Sequence, residues 1–224
     1  MGRGIRRDAV AIILVAVGSG LVSAFPPFSL AHGWSIDALT ALRWEFFGAR
    51  RDPASTPVAV IAIDEETYQT PPFKGSPTLT WTAEVGRVLN AVIDGGAKAV
   101  GFDIVFPTSI EQSEIPFGDD LLGSRMRGFD RAFLRSLATG ASAGKVVLGE
   151  VLSGDRSILP SPGQRIAVGQ QKNIRPLNIY SDPDDVVRRV PLTLPGDGKR
   201  LPSMALELAS RALNPNQRWP KMEA

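Results

Sequence analysis

The chain contains no cysteine, and His32 is its only histidine. Disulfides and thiolate metal centres are therefore excluded, while the missing cysteine leaves the compartment open. His32 stands at the end of the N-terminal apolar stretch, far from any cluster of carboxylates or serines. Neither a Ser-His-Asp triad nor a histidine-based zinc site can be assembled around it within one chain. A strong charge of either sign is also missing. The formal balance is +2, and no basic run is interleaved with aromatics, which argues against nucleic acid as a partner. Two familiar loops are incomplete. GASAGKV at residues 140–146 is one residue short of a phosphate loop, has Val146 where Ser or Thr is required, and leads into a strand instead of leaving one. The acidic turn at residues 182–185 offers Asp182 and Asp184 at calcium-loop spacing, but Val186 occupies the next ligand position and the Gly and terminal Glu are absent. No internal repeat is evident.

What is present is a pair of Val- and Ile-rich segments that each carry an acid, VAVIAIDEETY at residues 58–68 and KAVGFDIVF at residues 98–106. Near-continuous apolar runs of this kind are expected of parallel strands buried on both faces. Between them Val85, Val88, Leu89, Val92 and Ile93 recur at the spacing of one helical face, with Thr82 as N-cap and Gly95-Gly96 as the stop. Strand, helix and strand make a right-handed βαβ unit. A second step follows, with a helix at residues 129–140 and a strand at residues 145–151. Residues 107–128 read as an irregular loop and candidate lid, and residues 152–172 as a surface excursion. Residues 173–192 read as a hairpin around the acidic turn, and LPSMALELASRAL at residues 201–213 as a closing helix capped by Ser203. The fold expected is α/β, with a mixed sheet built on a parallel βαβ core and a C-terminal antiparallel hairpin, preceded by one transmembrane helix.

That transmembrane helix is placed at residues 9–31. Arg3, Arg6 and Arg7 precede the apolar run AVAIILVAVGSGLVSAF, which with the next six residues reaches the roughly twenty residues a span needs. Arginines ahead of the run put residues 1–8 in the cytoplasm and the remainder across the membrane. The competing reading is a cleaved signal peptide, for which Val22-Ser23-Ala24 supplies the small residues. Either way the following domain is exported. Residues 35–51 form a membrane-proximal helix with Ser35 as N-cap and Ile36, Leu39, Arg43, Phe46 and Phe47 on one side. Its aromatic face is expected to pack on the domain, and it can also serve as a stalk.

These residues together resemble the type-two CHASE domain. The carriers, in order, are AIDEETY, GGAKAVGFDIVF, the pair DRAFLRSLA and KVVLGE, DPDDVVRRVPL, and the helix LPSMALELA. The resemblance runs from about residue 35 to residue 213. It departs at GSPTLTWTAE, where family members carry a Trp-Pro-rich element followed by Arg and this chain has only Trp81. The resemblance implies an extracytoplasmic sensor at residues 52–213, part of a membrane-bound signal-transduction protein such as a nucleotide cyclase or histidine kinase, with a nucleotide cyclase the expected output. It also implies a non-catalytic module, a small-molecule or environmental ligand, a homodimer and no cofactor. Family modules are followed by further membrane helices and an output domain, so residues 214–224 read as a tail at which truncation stays open.

Ligands of open parallel sheets gather beyond the carboxyl ends of the strands. The candidate ligand-binding residues are therefore Asp64, Glu65 and Asp103, with Arg188 or Arg189 opposite. Adjacent strand residues face opposite ways, so only one of the two arginines can reach that edge. The competing account has Asp64 capping the turn after its strand, and Asp103 and an arginine engaged in ordinary ion pairs or loop bonds. Two further function classes stay open: an exported metal-dependent hydrolase using Asp64 and Asp103, and a dimerisation module that binds no ligand.

Overall fold

The structure is a computed structural model, and it describes residues 13, 15, 17–18, 29–49, 55–154, 156–196 and 199–213. Residues 1–8 and 214–224 and most of residues 9–31 lie outside the described set, and with them the expected span and tail. Among the described residues no helix is long and apolar enough to cross a membrane. Those residues form two compact units. One comprises the residues up to Ile61 together with Tyr180–Arg189; the other comprises Ala62–Ile179 and the residues from Val190 onward.

The larger unit is an α/β layer around a three-stranded parallel sheet. Its elements are α2 (Glu65–Gln69), α3 (Thr82–Asp94), β1 (Val100–Gly101), β2 (Pro116–Phe117), β3 (Asp120–Leu121), α4 (Leu122–Arg125), α5 (Arg131–Ser142) and β4 (Val146–Glu150). There follow α6 (Pro162–Ala167), β5 (Ile174–Pro176), β6 (Thr193–Pro195), β7 (Arg200–Pro202) and α7 (Met204–Ala212). The sheet order is β1-β4-β5, with Val100 opposite Val146 and Leu148 opposite Ile174, both pairings parallel. Antiparallel hairpins are made by β2 with β3 and by β6 with β7.

The core forms where the 3.6-residue period of the helices meets the two-residue period of the strands. Leu89 of α3, Phe133 and Leu137 of α5, Val146 and Leu148 of β4, Val168, and Ile174 of β5 make one buried cluster, with Val100 packed against it. Burying each such side chain contributes roughly 1.5–3 kcal/mol. Gly140 lets α5 approach β4, since a Cβ there would sit 2.4 Å from Val146 Cγ2. The other face of the sheet takes α7. A Cβ on Gly101 would meet Leu208 at 2.6 Å and the Met204 sulfur at 3.1 Å. Ser203 caps α7 as expected, accepting from Leu206 N. The helix is tied down by Glu207, which accepts from Arg175 and Arg211, both at 2.8 Å.

Four expectations are corrected. Residues 58–63 form no strand; Val58, Val60 and Ile61 are exposed, Val60 at 86 %. An apolar run specifies a strand only when a neighbouring backbone accepts it, and among the described residues β1 pairs with β4 alone. The first βαβ step is therefore one strand short, whereas the step β1-α5-β4 is present. Residues 152–172 are no mere excursion: Pro162 opens α6, whose return places β5 parallel beside β4. The arm expected to begin a hairpin at residue 173 is thus the third parallel strand. The turn that follows keeps a single antiparallel bridge, Tyr180 opposite Arg189. Finally, Thr82 does not cap α3. Trp81 holds the cap position, and Thr82 Oγ1 donates to Asp130 Oδ1 at 2.6 Å inside the fold.

The smaller unit contains α1 (Ser29–Phe47), which begins six residues before the expected cap at Ser35 and ends at Gly48 in the left-handed region, φ 64°. The aromatic face expected to be packed is open within this unit: Leu39, Phe46 and Phe47 are exposed, while Gly33 is buried.

Candidate functional site at the carboxyl ends of the parallel strands

The three parallel strands deliver Asp103, Glu150 and Asn178 to the carboxyl edge of the sheet. β1 ends at Gly101, and Phe102 N still donates to Val147 O at 3.0 Å before the chain leaves the sheet. Asp103 follows, exposed, and no hydrogen bond or ion pair holds it among the described residues. Its flanks are anchored by Phe102 and Phe106, whose rings meet the fully buried Phe133 edge-on at 6.3 and 6.2 Å. A free carboxylate is thus presented on a fixed support.

β4 ends at Glu150, which is 3 % exposed and accepts from Gln171 Nε2 at 2.7 Å. Sequence reasoning missed this residue. The signal was available, because Glu150 is an acid closing an apolar strand, the same pattern that singled out Asp103. Beyond β5, Leu177 N donates to Glu150 O at 2.8 Å, and the Asn178 amide both donates to and accepts from the Leu152 backbone at 2.7 Å. The edge is close-packed at Gly149, where a Cβ would lie 2.7 Å from Phe102 O.

The segment after Phe106 is pinned to this framework. Ser109 Oγ donates to Asp130 Oδ2 at 2.5 Å, and Glu111 accepts from Gly128 N and Asp130 N at 3.0 and 2.8 Å. Ser161 N donates to Phe106 O at 2.9 Å. An open surface depression of about 350 Å³ lies farther along, lined by Arg125, Met126, Arg127, Gly128 and Phe129.

Asp64 follows the extended segment and caps α2. Its Oδ1 accepts from Thr67 N at 3.0 Å and from Thr67 Oγ1 at 2.8 Å, and Asp64 N donates to Thr67 Oγ1 at 3.4 Å to complete a capping box. The Thr67 N–H holds the Asp64 carboxyl below the usual range, as a hydrogen bond to the charged form must. Glu65, exposed at the start of the same helix, accepts from Gln69 Nε2 at 3.1 Å. Trp81 is buried in the stretch before α3. It is 3 % exposed, stacks edge-on with Tyr68 and Phe73 at 4.8 Å each, and donates from Nε1 to Ser76 Oγ at 3.0 Å.

Arg188 and Arg189 belong to the smaller unit, whereas Asp64, Glu65 and Asp103 belong to the larger. Arg189 is exposed beside its backbone bridge to Tyr180. The Arg188 side chain is 4 % exposed and saturated by carboxylates. Nε and NH2 donate to Asp37 at 2.9 and 2.7 Å, NH1 and NH2 to Asp184 at 2.8 and 2.7 Å, and NH1 to Asp182 at 3.0 Å. Its hydrogen bonds to Asp37 first, then to Asp184 and Asp182, raise its pKa, while those it gives to Asp184 hold that carboxyl down at about 2.

No group of three or more His, Asp and Glu side chains is arranged to hold a metal ion among the described residues. The edge can instead accept hydrogen bonds from a ligand hydroxyl or amine. The model of the CHASE2 domain family matches residues 10–222. No curated protein and no solved structure matches the chain.

Proposed function

The chain belongs to the CHASE2 family, an extracytoplasmic sensory domain of signalling proteins, and from that premise we propose that it is the non-catalytic input module of a membrane-bound receptor with a nucleotide cyclase output. The observation that carries the reading is the extent of the family match, which takes in the sheet, the helices and the turn together. The exposed Asp103 carboxylate on its Phe102–Phe133–Phe106 support adds a recognition point for a ligand hydroxyl or amine, with Glu65 also exposed. Asp64 contributes by fixing α2, and Arg188 by organising the acidic turn. The arginines before the N-terminal apolar run support an anchored, exported domain.

Two measurements test this. Alkaline phosphatase fused after Ala224 in a bacterial host should be active and sediment with membranes; an inactive fusion rejects export. The purified chain should turn over no phosphate, peptide or ester substrate with or without divalent metals, as expected of a sensory module. Metal-dependent turnover abolished by Asp103→Asn would overturn the sensory reading.

A further inference from the structure

Arg188 joins two parts of the smaller unit that are distant in the chain, α1 and the 180–189 turn; its bond partner Asp37 is 151 residues away. A guanidinium has five N–H donors in a fixed plane, and here all five are used: two on Asp37, two on Asp184 and one on Asp182. Both outer carboxylates are gripped bidentately, the geometry that gives arginine its directional hold. Gly33 leaves the room in which the plane lies against α1. A Cβ there would stand 2.9 Å from the guanidinium carbon and from NH1. The turn is shaped for its part as well, with Asp182 N donating to Val186 O and Asp185 N to Asp182 O, both at 2.9 Å, and Asp185 at φ 61°. Three carboxylates around one guanidinium leave two negative charges in excess, so the turn separates from α1 by repulsion if the arginine is withdrawn.

We propose that Arg188, seated on Gly33 and shared by Asp37, Asp182 and Asp184, is a clasp that fixes α1 to the acidic turn, and that a change in the turn reaches α1 through it. The turn is the insertion between β5 and β6, and α1 directly follows the N-terminal apolar run, so the clasp bridges the segment leaving the sheet and the segment leading to the anchor. The transmission half of this inference rests on the sensory reading. The clasp itself does not.

The chain has no native cysteine, so Ala41→Cys and Ser181→Cys, both at exposed positions, give a unique spin-labelled pair on the full chain in lipid nanodiscs. Pulsed distance measurement should return one narrow population. Arg188→Ala should at least double its width, and Arg188→Lys should broaden it too, because an ammonium keeps the charge but loses the planar fork. Gly33→Leu should do the same without removing any charge. Asp37→Asn carries the test if Arg188→Ala does not fold. Pro183→Gly, which loosens the turn without touching the guanidinium, should change the mobility of a single label at residue 41 in the parent chain and leave it unchanged in the Arg188→Ala background. Unaltered widths in both Arg188→Ala and Asp37→Asn would overturn the clasp, and equal Pro183→Gly effects in both backgrounds would overturn transmission. Neither result depends on ligand or output, so they stand apart from the turnover assay that would overturn the sensory reading.

Discussion

Replacing Phe133 by alanine strikes the support of the candidate site. The side chain is fully buried in α5, lies in the core cluster with Leu89, Leu137 and Ile174, and meets Phe102 and Phe106 on either side of Asp103. Large-to-small changes of this kind cost about 3–5 kcal/mol, because the lost transfer energy is joined by a cavity the surroundings fill only in part. Collapse is hindered here. Gly86 of α3 already sits against the Phe133 backbone, a Cβ there lying 3.3 Å from Phe133 Cα, and Phe102 is held by its bond to β4. For a unit of this size each kcal/mol moves the melting midpoint by about 2–4 °C, so Phe133→Ala should lower it by about 6–20 °C. Circular dichroism on the detergent-solubilised chain reads the shift. The Asp103 segment should loosen along with it, and amides of residues 102–106 should exchange faster relative to β4 than in the parent. A drop below about 3 °C, or no change in exchange, would refute the packing argument.

Three further outcomes follow from polar contacts of the fold. Thr82→Val removes the donor to the buried Asp130 and leaves that oxygen unpaired, which should cost about 1–3 kcal/mol in a denaturant titration. Glu207→Ala should cost about 1–3 kcal/mol at neutral pH, a partly buried pair being worth less than a fully buried one. Burial pushes the Glu207 carboxyl up, but Arg211 and Arg175 outweigh it and hold its pKa below 4.5. Its stabilisation is therefore complete above the unfolded value and lost as pH falls through the lowered one, so the gap between parent and Glu207→Ala should close only in acid. The Asp184 carboxyl, followed by carbon NMR, should titrate near 2, so its two bonds from Arg188 should be intact at pH 4 and lost only on further acidification. A midpoint near 4 would contradict it.

Elements that carry their own periodicity were legible from the residues. Leu89 and Ile93, Phe133 and Leu137, and Ser203 ahead of Leu208 mark α3, α5 and α7, because one helical face must be apolar and the caps are local. Strand pairing is not local. The run at residues 58–63 is as apolar as Val146–Glu150, yet β4 is entirely buried between two strands and the earlier run pairs with none among the described residues. β5 was misassigned because Ile174–Pro176 is too short to declare whether its partner runs parallel. The sequence pattern singles out Asp103 and passes over Glu150, although both are acids that close apolar strands. The contact of Asp37 with Arg188 joins residues 151 apart, and nothing in a single sequence announces it.

The central claim is that this CHASE2 chain recognises a ligand at the carboxyl edge of its parallel sheet, and thermal denaturation of the full chain against a library of small hydroxyl- and amine-bearing compounds tests it most directly. The account predicts that at least one compound raises the melting midpoint of the parent, that Asp103→Asn melts at the same temperature as the parent without ligand, and that the compound no longer shifts it. A compound that stabilises Asp103→Asn as strongly as the parent would contradict it.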